Sequence, residues 1–217
     1  MEISWDDISF GNPNIEQIEL MGRTTYLDGL FDKLSHIQPP KNTSEVTQKE
    51  LNDLVSYTAE LAQDQESRER FLDYDRSMFT YFQDACQKVG IMDSDTITTI
   101  GKVIQDTTPL LIRLKFNYDR ARPANLAHYY KLKLFPFSSR TADTPSYPSG
   151  HAYQARIITE VIGNLHPRYY QSLKILCDDI CMSRMYLGLH YQSDIDMGLY
   201  AADAVIENKE FKKKYGL

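Results

Sequence analysis

The chain has no apolar run approaching the roughly 18 to 20 residues needed to cross a bilayer as a helix. The stretch from Thr108 to Leu114 is already broken by Arg113. The opening residues, Met1-Glu2-Ile3-Ser4-Trp5-Asp6-Asp7, lack the basic start and apolar core of a secretory leader. The expectation is a soluble protein, cytoplasmic as written or periplasmic if the chain is a processed mature form. Cysteine is scarce, with only Cys86, Cys177 and Cys181, and an odd count gives no complete disulfide framework. Cys177 and Cys181 lie four apart in a helical pattern. That spacing sets their Cβ atoms about 5–6 Å apart, wider than the about 3.5–4.5 Å of an unstrained bridge. All three are expected to be free, buried and inert. Internal repeats, low-complexity tracts and alternating strand patterns are also missing. Positive charge is in deficit: 24 Lys and Arg face 30 Asp and Glu, a formal net charge of −6. Such a surface does not attract nucleic acid or acidic membranes, so any cationic pocket must be a local construction.

What remains is ordinary for a globular protein: 217 residues, 42% hydrophobic and 25% charged, enough for one domain with a substantial core. Helical periodicity dominates. A first helix is expected from Pro13 to about His36, ended by Pro39-Pro40. Thr43-Ser44-Glu45 opens a second, and residues 64 to 89 continue to a stop at Gly90. Ser94-Asp95 caps a run from Thr96 to about Asn117. Ala121 to Pro148, with four prolines and many Ser and Thr, reads as a long irregular connection of the kind that is usually functional. Helices resume over about Ser149–Asn164, Pro167–Leu187 and His190–Lys209. The fold class expected is all-α.

Three segments carry the chemistry: Lys115-x6-Arg122-Pro123, Pro148-Ser149-Gly150-His151, and Ser183-Arg184-x5-His190-x3-Asp194. Ser149 and Gly150 stand where a helix begins, and free N–H groups there attract anions. On a helix, His190 and Asp194 would be neighbours, so that the carboxylate fixes one ring nitrogen and frees the other to attack. Arg184 precedes Gly188, expected to turn the chain between two helices, and its planar fork suits tetrahedral oxyanions. Lys115 and Arg122 add positive charge. Each segment alone has a structural explanation as a cap, a surface pair or solvated cations. Arg120 and Arg140 are expected to be exposed, and His36 and His166 to sit at helix ends. His128 could reach a pocket mouth, and Tyr129, Tyr130 and Tyr147 could line a leaving-group side or simply pack.

In this order and with these spacings, the three segments resemble the signature of the type 2 phosphatidic acid phosphatase superfamily. That group also takes in bacterial non-specific acid phosphatases, vanadium haloperoxidases and membrane lipid phosphatases. Ser146 to His151 and His190 to Asp196 are most similar to the class A non-specific acid phosphatases. The resemblance covers about residues 95 to 217. It implies a compact helical bundle of the acid phosphatase/vanadium haloperoxidase type. One domain would span 1–217, with 1–93 a helical N-terminal part and 94–217 the core helices and active-site loop. The implied function is a soluble, metal-independent phosphatase that hydrolyses phosphomonoesters through a phosphohistidine. His190 would attack, Asp194 would orient it, and His151 would act as general acid and then base. Lys115, Arg122, Ser149, Gly150 and Arg184 would hold the phosphate. No cofactor is implied. Vanadate would be an inhibitor or, in an alternative haloperoxidase-like reading, the prosthetic group; a non-catalytic oxyanion-binding protein is a further alternative. The partner is a small-molecule phosphate ester, with no nucleic acid, no membrane span, and a homo-oligomer compatible with the family.

Overall fold

Helical periodicity is realised throughout the computed structural model, which describes residues 4–91 and 93–217. Met1 to Ile3, the start of the stretch read for a leader, lie outside the described residues. Among the described residues there are eleven α-helices. In the same described residues no strand forms beyond an isolated bridge between Ser9 and Arg120, as the all-α reading expects. None of these helices is long and apolar enough to cross a membrane.

The centre of the molecule is α8 (Gly150–Leu165), flanked by α6 (Ser94–Tyr118), α9 (Tyr170–Tyr186) and α10 (Gln192–Ile206). Its residues Ala152, Tyr153, Ala155, Ile157, Ile158, Val161 and Ile162 are all fully buried. A helix apolar on nearly every side has to lie inside others. The close approach of α10 to the start of α8 depends on Gly198. A Cβ there would lie 2.7 Å from the Ser149 carbonyl oxygen and 3.1 Å from Ala152 Cβ. One buried apolar cluster runs from Leu27 to Tyr215, and Cys86, Cys177 and Cys181 are free and buried.

Several expected boundaries move, each for a local reason. The single helix over 13–36 is two, α1 (Ile15–Met21) and α2 (Asp28–Leu34). Between them Asp28 takes the Thr25 N–H at 3.1 Å and starts the chain afresh. After α3 (Glu45–Gln63), the stretch 64–89 divides into α4 (Gln65–Tyr74) and α5 (Met78–Lys88). The break falls at Asp75, whose carboxylate is taken up by distant donors described below. Asp93, not Ser94, caps α6, accepting the Thr96 N–H at 2.7 Å. The 121–148 connection is irregular except for a short helix α7 (Pro123–Ala127), which starts with Pro in its favoured first position. A 3-10 turn (Pro167–Tyr169) precedes α9. The last expected helix, about His190–Lys209, is α10, which stops at Ile206; a further helix that the periodicity did not suggest, α11 (Lys209–Tyr215), follows, capped by Asn208. Gly188 makes the turn between α9 and α10 with φ 73°, and a Cβ on it would strike Thr58 and Pro136.

Candidate active site

The three segments converge where the start of α8, the C-terminal end of α6 and the α9–α10 turn meet. Lys115, Arg122, Ser149, His151, Arg184, His190 and Asp194 are all buried there. Their charges act on one another. Burial, and then the Arg122 charge, hold the Lys115 ammonium well below its ordinary range. Burial pulls the Arg122 guanidinium down to about 10. Burial, Arg184 and His190 all depress His151.

His190 does not lie on a helix as expected. It precedes α10, and Asp194, in the first turn of that helix, reaches back to accept the Tyr191 N–H at 3.0 Å. The same oxygen, Oδ2, lies 3.1 Å from His190 Nδ1. The other ring nitrogen, Nε2, lies 3.0 Å from Arg122 Nη1. A guanidinium can only donate, so this contact places a lone pair on Nε2 and the ring proton on Nδ1, donated to Asp194. Burial raises the Asp194 carboxyl, but Arg120, His190 and Ser146 outweigh it and hold the group well below the carboxylate range. It is therefore an acceptor at any ordinary pH. Burial, followed by the Arg122 charge, depresses His190, which keeps its ring neutral and its Nε2 lone pair available.

Two other buried residues of the three segments carry donors with no protein partner. Arg184 gives Nη2 to Asp75 Oδ1 at 2.8 Å, while its Nε and Nη1 are buried and unpartnered. Ser149 is the N-cap of α8, yet its hydroxyl makes no cap bond and is equally unpartnered. Its backbone N–H is committed to the Asp194 carbonyl at 2.9 Å. Buried donors of this kind are expensive unless something accepts from them, and a tetrahedral oxyanion is the acceptor their number and charge suit. Lys115 Nζ reaches the Pro145 carbonyl at 2.6 Å, and its stem passes Gly150, where a Cβ would sit 3.6 Å from Lys115 Cε. His151 is held from the other side, its Nε2 lying 3.2 Å from the Arg76 carbonyl.

The structure corrects the reading of Arg120. Expected at the surface, it is buried, with Nη1 2.7 Å from Asp194 Oδ1 and Nη2 3.4 Å from Glu50 Oε2. Arg140 is exposed as expected, its backbone N–H donating to Asp75 at 2.8 Å. His36 is exposed at a helix end, and His166 caps α8, 2.8 Å from Thr96 Oγ1. His128 is exposed against Tyr129. Tyr129 and Tyr130 pack on Trp5, and Tyr147 donates to the Ile37 carbonyl at 3.1 Å. Sequence reasoning missed Glu50, Asp75, Arg120 and Ser146 as parts of this site. Arg120 and Ser146 lie inside or beside recognised segments, whereas Glu50 and Asp75 carry no local signal.

Comparison with known proteins bears on this arrangement. The PAP2 superfamily profile matches residues 96–206, which hold all three segments. Two curated relatives, both lipid A 1-phosphatases, come from Rhizobium johnstonii and Rhizobium etli. Each is 34% identical over 86 residues, 40% of this chain and 35% and 37% of the respective relative. The chain thus spans about a third of the length of the curated relatives it matches. With the match covering the whole buried constellation from Lys115 to Asp194, the chain belongs to the PAP2 superfamily.

Proposed function

We propose that this chain is a metal-independent phosphatase that hydrolyses phosphate monoesters through a phosphohistidine on His190. The observation that carries the reading is the clamp on the His190 ring: Nδ1 lies 3.1 Å from Asp194 Oδ2 and Nε2 lies 3.0 Å from Arg122 Nη1, a donor-only group that favours a lone pair on Nε2. Nε2 attacks phosphorus, and the P–O bond to the leaving group breaks. His151, entering protonated, gives its proton to the departing alkoxide. The ring of His190 then carries positive charge, which Asp194 neutralises. In the second half, His151 takes a proton from water, the hydroxide attacks phosphorus, and the P–N bond breaks to return the lone pair to Nε2. Lys115, Arg122 and Arg184 neutralise the equatorial oxygens as charge shifts, with Ser149 and the Gly150 N–H adding donors.

The class of ester stays broad. By their names the curated relatives act on lipid A 1-phosphate, so that substrate belongs in a panel beside aryl, sugar and nucleotide monophosphates. Vanadate is proposed as an inhibitor that mimics five-coordinate phosphorus. The test is phosphate release from an aryl phosphate in the presence of chelator, by the wild type and by His190→Ala. Turnover lost only in the variant supports the reading; equal turnover in both overturns the assignment of nucleophile. Peroxide-dependent halide oxidation after vanadate loading, without phosphate release, would favour the haloperoxidase alternative.

A further inference from the structure

Arg120 lies two residues before Arg122 and is buried with its side chain 2% exposed. Its guanidinium carbon lies 3.9 Å from the centroid of the Tyr191 ring, and the Tyr147 ring is 5.9 Å away. Nη1 donates to Asp194 Oδ1 and to Ser193 Oγ, each at 2.7 Å. Nη2 faces Glu50 Oε2 at 3.4 Å and Thr47 Oγ1 at 3.5 Å, both from α3. Glu50 is itself fixed, accepting the Ser193 N–H at 2.6 Å and the Ser193 hydroxyl at 3.0 Å. Two buried carboxylates therefore share one guanidinium, and a chain of contacts runs from α3 through Arg120 and Asp194 to His190.

We propose that Arg120, braced by Glu50, is a positioning residue that fixes the Asp194 carboxylate and so holds His190 in its Nδ1–H tautomer. Arg120 is the partner of Oδ1, whereas Oδ2 serves His190, Ser146 and the Tyr191 N–H. A carboxylate tied at one oxygen cannot swing the other away from Nδ1. The guanidinium also holds Asp194 ionised despite its burial, so the group remains an acceptor and the imidazole proton stays on Nδ1. Glu50 lies outside the 96–206 stretch that matches the superfamily, so α3 adds a support that the matched segment lacks. The kinetic side of the proposal rests on the reading of His190 as nucleophile; the tautomer side does not.

The test therefore has two readouts. Long-range 15N–1H NMR of the histidine rings in the intact protein reports the His190 tautomer whether or not the chain turns over a phosphate ester. Steady-state kinetics on an aryl phosphate report kcat and KM. Arg120→Met and the isosteric Glu50→Gln are expected to give His190 a mixed tautomer and to lower kcat by about tenfold to a hundredfold, the range typical of groups that orient a functional imidazole. KM should stay within about twofold, because Lys115, Arg122, Arg184 and Ser149 are untouched. Arg120→Lys should recover part of kcat, and Arg120→Met should add little to Asp194→Asn, as expected of residues acting through one another. Should Arg120→Met fail to fold, Glu50→Gln carries the same test. A His190 tautomer unmoved in the folded variants overturns the proposal. In an active wild type, an unmoved kcat or a change confined to KM overturns it as well.

Discussion

Asp75 Oδ1 accepts from Arg184 Nη2 at 2.8 Å, and both side chains are buried. The same carboxylate takes the hydroxyls of Ser139 and Thr141 and the N–H of Arg140. One acidic residue in the α4–α5 break thus holds both Arg184, the arginine proposed to bind phosphate, and the 139–141 part of the irregular connection. Next to it, the Arg76 carbonyl holds His151. Asp75→Asn keeps the shape but leaves Arg184 without its countercharge, so KM for an aryl phosphate should rise about tenfold, equivalent to about 1.4 kcal/mol.

The same residue makes a prediction about acid stability. Burial raises the Asp75 carboxyl, but Arg184 and Thr141 together bring it down to about 2 from an ordinary 3.8. The folded state therefore binds this proton less readily than the unfolded state. The resulting stability, about 2 kcal/mol, is complete above about pH 4 and is lost as pH falls through 2. Thermal melts from pH 5 to pH 2 should show a shallower acid decline for Asp75→Asn than for the wild type. Parallel curves would contradict this.

Asp194→Asn places an amide where a carboxylate held the ring. Its NH2 can donate to Nδ1, which moves the ring proton to Nε2 and removes the lone pair. A fall in kcat of about a hundredfold to ten-thousandfold is expected, by comparison with the wrong-tautomer effect in serine protease triads. Steady-state kinetics at saturating substrate check it.

The activity profile should be acid-shifted. Burial and Arg184 depress His151, while burial and Arg122 depress His190, both well below the ordinary 6.5. His190 must be neutral to attack, and its depression preserves that into acid. His151 must carry a proton, and its depression means the proton is lost early as pH rises. Both effects place the kcat/KM optimum below 6.5 in the free enzyme; an optimum above 8 would contradict the assignment of the two histidines.

Gly198→Ala tests the packing beneath the site. Its new Cβ would press 2.7 Å from the Ser149 carbonyl oxygen, and overpacking of this kind costs about 1–3 kcal/mol. Melting temperature and kcat/KM should fall together, because the strained contact is the residue that opens α8.

The three segments and most helices were legible because helical periodicity and local spacing carry them. The contact between His190 and Asp194 was legible as well, although the pair straddles a helix start. Glu50 and Asp75 were not, since they reach the site across the fold from α3 and the α4–α5 break, where only tertiary contact gives them meaning. Arg120 was misread because an arginine near a helix end is usually solvated; here two carboxylates from distant elements hold it inside. The break of 13–36 at Gly22–Thr25 was hidden by an apolar pattern that continues on both sides of it.

The most direct measurement is rapid acid-free quenching during turnover of a 32P-labelled phosphate monoester, with the label mapped by mass spectrometry. The account predicts a phosphoryl group on Nε2 of His190, stable in base and labile in acid, absent in His190→Ala and, with a nitrophenyl ester whose leaving group needs no proton, accumulating in His151→Ala. Turnover without a phosphoenzyme, or a label mapped to another residue, would contradict it.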